Sequence, residues 1–136
     1  VCLQFKEVTA ASPTGLKEVQ LADVEAIFKE AGEKHLVARP FRSEIDPNQT
    51  DGICFCCDDC CGYFVDPGGY ACDKGDMIQQ TDMDACTHCG LCVDVCYFGA
   101  RKRRREKLVV AAERCFGCGL CVDVCPEACI KMVPRT

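Results

Sequence analysis

Apolar positions follow a helical period near the N-terminus, where Leu21, Val24, Ile27, Phe28 and Ala31 share one face. Gly32 stands where a C-cap glycine would close that helix. Leu36-Val37-Ala38 reads as a short strand cut off by Pro40. Asp46-Pro47-Asn48-Gln49-Thr50-Asp51-Gly52 reads as a loop. From Ile53 the pattern breaks. Cys54, Cys56, Cys57, Cys60 and Cys61 crowd together and leave no alternation for a helix or strand, and Asp66-Pro67-Gly68-Gly69 is a turn signal. Beyond about Met77 the chain repeats itself: Cys86-Thr-His-Cys-Gly-Leu-Cys-Val-Asp-Val-Cys96 returns as Cys115-Phe-Gly-Cys-Gly-Leu-Cys-Val-Asp-Val-Cys125. The pattern predicts an α+β chain in three segments. Residues 1–52 form a helical or α+β extension, 53–76 a cysteine-rich metal-binding segment, and 77–136 a closed domain of two like halves about a pseudo-two-fold axis.

Composition sharpens this picture. Sixteen of 136 residues are cysteine, above the ~8–10% at which cysteines define a fold. Segments below roughly 70–80 residues bury too little to stand without staples, and bound metal is one such staple. Disulfides outside the cell and metal inside it are the two uses of so many thiols. No run approaches the ~18 apolar residues of a membrane span. The expectation is a cytoplasmic chain, although a start at Val1 is compatible with a removed leader or a longer parent. The net charge of −5 weighs mildly against a nucleic-acid partner.

The repeat carries the chemistry. Each run is C-x2-C-x2-C-x3-C. Two-residue gaps let three thiolates on one tight loop meet three corners of an iron–sulfur cubane. In the two-cluster arrangement the fourth cysteine of each run ligates the other cluster. One [4Fe–4S] cluster then takes Cys86, Cys89, Cys92 and Cys125, and the second takes Cys115, Cys118, Cys121 and Cys96. Neither half completes its own site, so folding and cluster insertion become one event. Zinc also uses C-x2-C pairs, but it does not call for three successive cysteines plus a fourth, twice over. The C-x3-C-x2-C spacing of radical-generating clusters does not occur.

Over roughly Gln80 to Val133 the sequence resembles the bacterial two-[4Fe–4S] ferredoxin family, down to the proline in Cys125-Pro126. It departs at Cys96-Tyr97, where the family usually has proline, and at Cys129, where alanine is common. The resemblance implies a strand over Thr81–Asp84 paired with Ile130–Val133, and a hairpin from about Gly99 to Ala112. It also implies low-potential, single-electron transfer. The cysteine-rich stretch looks like extensions found on some ferredoxin-like proteins of anaerobes.

That stretch repeats the spacing in Cys54, Cys57 and Cys60, with Cys72 beyond the glycine turn as fourth ligand, or Cys56 or Cys61 in its place. A third iron–sulfur cluster is the favoured reading. A zinc site and reactive thiols are the alternatives. Cys2 and Cys129 read as bystanders. Tyr63, Phe64 and Tyr70 read as packing around a metal site. His88 lies between two ligands and reads as a loop histidine or as a hydrogen-bond partner of cluster sulfur; His35 reads as structural. The basic run Arg101–Lys107 reads as a docking patch for an acidic redox partner or a solvated hairpin. No aromatic residues interleave it to stack bases. The chain is therefore expected to be an electron-transfer protein or a subunit of a larger oxidoreductase, not an independent enzyme. The alternative is a redox-sensing or metal- and sulfur-handling protein working through Cys54–Cys72.

Overall fold

A computed structural model of the chain describes residues 1–5, 15–43, 45–59, 61, 64 and 74–136. It divides into two compact units, Val1–Cys57 and Asp58–Thr136. Both mix helix and strand, so the chain is α+β.

Among its described residues, the first unit is a three-stranded antiparallel sheet with one helix. Strands β1 (Cys2–Gln4), β2 (Val37–Arg42) and β3 (Thr50–Cys56) lie in the order β1-β3-β2. Helix α1 (Leu21–Glu33) carries the apolar face expected of it. Asp23 starts it by accepting the Gln20 backbone N–H through Oδ2 at 2.9 Å, which satisfies a donor the helix cannot pair itself. The helix runs through Gly32 and does not end on it. Its stop lies further on, at His35, which takes a left-handed φ of 51°. Pro40 does not cut its strand either. β2 is an edge strand, where a residue lacking N–H can sit without breaking a ladder. The expected loop likewise ends early, because Thr50, Asp51 and Gly52 already belong to β3. Phe55 is buried and meets Phe28 of α1 edge-on at 4.9 Å, with Ala31, Val37 and Cys56 completing this small core.

In the second unit the outer strands β4 (Met77–Thr81) and β7 (Ile130–Pro134) pair antiparallel, with Thr81 opposite Ile130. The expected strand at Thr81–Asp84 is thus displaced. Asp82 Oδ1 accepts the N–H groups of Asp84 and Ala85, a local turn that competes with the ladder. Strands β5 (Arg101–Arg104) and β6 (Lys107–Val110) form the hairpin where it was expected, with Arg101 opposite Val110. Two one-turn helices, α2 (Leu91–Asp94) and α3 (Leu120–Asp123), lie inside the cysteine runs. The core is short on aliphatic side chains and long on sulfur: Leu108 and Ile130 pack with Cys92, Cys121 and Cys129. Among the described residues, no helix is long and apolar enough to cross a membrane.

Candidate metal centre

The two cysteine runs repeat in conformation as well as in sequence. His88 and Gly117 precede the second cysteine of each run, and both take left-handed φ, 56° and 84°. Gly90 and Gly119 do the same at the starts of α2 and α3. Gly99 and Ala128 do so three residues after the last cysteine. The left-handed turn at His88 aims its backbone N–H at Cys86 Sγ, 3.4 Å away. Glycine adopts this conformation freely, whereas histidine is strained in it. His88 is held there because its Nδ1 accepts the Leu108 backbone N–H at 3.1 Å, tying the loop to β6. Nδ1 is also 3.7 Å from Cys86 Sγ. The side chain is half-buried and holds the Leu108 N–H through Nδ1, so the loop-surface reading of His88 gives way to an anchoring role.

The loops border two cavities that are partly open to solvent. The first is lined by Cys86, Cys89, Cys92 and Cys125, with Leu108, Cys129 and Ile130 completing its wall. The second is lined by Cys96, Cys115, Cys118 and Cys121, with Gln79, Phe98, Arg101 and Phe116. Each cavity takes three cysteines from one run and the last cysteine from the other. The donor set fits iron–sulfur chemistry: four soft thiols, three from one run and one from the other, line each cavity. Among the described residues, no three His, Cys, Asp or Glu side chains converge as the ligands of a single metal ion.

Electrostatics differ around the sulfurs. Burial pushes the Cys121 thiol up to about 11 and raises that of Cys92, and the Arg101 guanidinium works against both shifts. For Cys125, burial is outweighed by hydrogen bonds from the backbone at Cys129, Glu127 and Ala128 and from the Cys129 thiol, which hold it below the usual thiol range. Cys129 is no distant bystander. Its Sγ is 3.5 Å from that of Cys125, and burial followed by this neighbour pushes it up to about 12.

Two expectations about neighbouring residues change. Arg101 heads the basic run but is only 2% exposed, so a surface reading applies to Lys102–Lys107 alone, all of which are exposed. A run of like charges gives no sign that its first member turns inward. Phe64 packs on Phe98 (5.1 Å) and Tyr97 (6.1 Å), and Phe98 stacks on Phe116 at 4.4 Å. Tyr97, where the resembled family has proline, thus joins an aromatic group on the wall of the second cavity.

For the cysteine-rich segment, Cys60, Cys72, Tyr63 and Tyr70 lie outside the described residues. Cys54 and Cys56 belong to strand β3, contrary to the expectation that the crowding forbids a strand. The sheet accepts them because β1 and β2 pair on either side. Cys2 faces Cys54 across the β1–β3 ladder, with their sulfurs 2.6 Å apart. Asp58 and Asp59 are exposed, as expected.

Residues 86–129 match the family model described as a 4Fe-4S dicluster domain, and this segment is a ferredoxin-type dicluster domain. No curated protein matches the chain.

Proposed function

We propose that the chain is an electron-transfer protein, or a subunit of a larger oxidoreductase, holding one [4Fe–4S] cluster in each cavity. Cys86, Cys89, Cys92 and Cys125 hold the first, and Cys96, Cys115, Cys118 and Cys121 the second. The carrying observation is that each cavity is lined by four cysteines drawn three and one from the two runs. Bound there, such clusters take up and release one electron at a time. The protein's part is to hold the sulfurs in place, keep water from them with Leu108, Ile130 and the Phe98–Phe116 stack, and supply hydrogen-bond donors such as the His88 N–H. The two halves relate by a pseudo-two-fold axis in this reading. The exposed Lys102–Lys107 run docks an acidic redox partner, and the cytoplasm supplies the reducing setting that free thiols need. A third iron–sulfur centre on Cys54, Cys57, Cys60 and Cys72 extends the chain of carriers. It rests on spacing alone.

Iron and acid-labile sulfide analysis of anaerobically purified protein tests the reading. About eight irons per chain are expected for two cubanes, and about twelve for three. Stoichiometric zinc with no sulfide would refute it.

One observation favours a second reading, redox sensing at the cysteine-rich segment. The Cys2 and Cys54 sulfurs are already 2.6 Å apart. A disulfide oxidant would take two electrons and two protons from this pair as the S–S bond forms. Peptide mapping of non-reduced protein after such treatment reads it out.

A further inference from the structure

The spacing that carries Cys86 onto Cys115 also carries three other residues onto partners. Gln79 maps to Leu108, Thr81 to Val110 and Arg101 to Ile130. Strand pairing obeys the same relation: Thr81 opposite Ile130 in one ladder becomes Val110 opposite Arg101 in the other. One half of the repeat therefore builds its wall from Leu108, Val110 and Ile130, and the other from Gln79, Thr81 and Arg101. The apolar wall lines the first cavity through Leu108 and Ile130, and the polar wall lines the second through Gln79 and Arg101.

A guanidinium where the repeat has isoleucine is costly unless it is paired. Arg101 is 2% exposed, its aligned position Ile130 5%. Its Nη2 donates to Thr81 Oγ1 at 2.8 Å and to Gln79 Oε1, and its Nη1 donates to Cys92 Sγ at 3.2 Å. Thr81 Oγ1 in turn donates to the same Gln79 oxygen at 2.6 Å, so amide and hydroxyl fix the fork. These partners are neutral oxygens. Negative charge would come from the sulfurs it faces: Cys92 at 3.2 Å, and Cys121, which lines the second cavity beside it. Arg101 thus touches a cysteine of each set while facing the second cavity itself.

We propose that Arg101 is a built-in counter-charge shared by the two centres. It raises the reduction potential of both, and that of the Cys96/Cys115/Cys118/Cys121 centre more, which shifts the electron toward this centre. The proposal rests on the two-cluster reading. A centre that gains an electron gains a negative charge. A fixed cation with a hydrogen bond to its sulfur stabilises that state in a poorly screened interior. The first cavity has only Leu108 and Ile130 at the matching positions and feels the charge through the single sulfur of Cys92.

The test is a redox titration of the full chain followed by EPR, with paramagnetically shifted cysteine β-protons assigning each wave to its cavity. Wild-type iron of about eight per chain, or about twelve with the third centre, first secures the reading on which the proposal stands; zinc or iron-free protein would refute that reading instead. In R101I, which installs the residue the repeat uses, iron should stay at the wild-type value. The reduced-to-oxidised ratio of the second-cavity centre at fixed poise should fall on the order of tenfold, or 59 mV for one electron. The first-cavity centre should fall by less. R101K, which keeps the charge, should recover part of the shift. Where R101I loses iron, R101Q is neutral but can still bond Thr81 and Gln79, and it is read in the same way. Unchanged potentials at full iron would overturn the proposal, as would a larger shift in the first-cavity centre. Loss of iron from both neutral variants would also overturn it and make Arg101 a folding residue.

Discussion

Removing the last cysteine of each run should have unequal effects. Cys96→Ala strips the second cavity of the only thiol it receives from the first run; its remaining cysteines are Cys115, Cys118 and Cys121. Cys125→Ala strips the first cavity in the matching way, but that cavity has a fifth thiol on its wall. Cys129 Sγ lies 3.5 Å from Cys125 Sγ, and a rotamer change moves a thiol sulfur by roughly 3 Å. The substitute is therefore within one side-chain rearrangement of the vacated position. Iron per chain should fall by about four in Cys96→Ala and stay at the wild-type value in Cys125→Ala. It should fall by about four in the double variant Cys125→Ala/Cys129→Ala. The assay is iron and sulfide per chain after anaerobic reconstitution, with visible absorbance near the thiolate-to-iron band as a parallel readout. Cys96→Ala retaining all of the wild-type iron would refute the crossed assignment of the cavities. Cys125→Ala falling as far as the double variant would refute the reserve role of Cys129.

Gly117→Ala should cost about 1–3 kcal/mol, because φ is 84° and the new Cβ would lie 2.3 Å from the Met77 carbonyl oxygen. A thermal melt matching wild type would show that β4 yields more easily than its pairing with β7 implies. Phe55→Ala removes a 4%-exposed ring and its contact with Phe28, and should destabilise the first unit by about 3–5 kcal/mol in urea titrations followed by circular dichroism. A loss below about 1 kcal/mol would mean that this core collapses around the gap. Reversing Arg103, Arg104 and Arg105 to Glu should slow electron transfer with an acidic redox protein and flatten its salt dependence, with iron content unchanged. An unaltered rate at low salt would leave the run as solvated surface.

The cysteine runs were legible because ligand spacing is a local property of the chain, and both cavities are bordered by the residues the spacing named. The hairpin was legible for a similar reason, since it is closed by neighbours in sequence. Edges were less so. Thr81–Asp84 failed as a strand because Asp82 prefers its own turn, which alternation does not report. Pro40 and Gly32 usually terminate strands and helices, and here the sheet edge and the length of α1 override that tendency. Arg101 was hidden by its company, because burial is decided by facing Gln79 and Thr81 from a distant strand. The signal lies in the repeat itself, which sets Arg101 against the apolar Ile130.

Strands β4 and β7 bring the two ends of the dicluster segment together. Arg135 secures the junction by donating to the carbonyl oxygens of Gly75, Met77 and Cys115, while its own N–H reaches Asp76 O at 2.7 Å. The order in which the residues are strung is therefore separable from the fold. A circular permutant that joins the outer ends of β4 and β7 by a short linker, and opens between the exposed residues Arg105 and Glu106, keeps every ladder and both sets of four sulfurs. Such a chain would begin and end at the basic hairpin, so a fused redox enzyme would be tethered at the surface proposed for docking, with an effective concentration set by the linker instead of by diffusion.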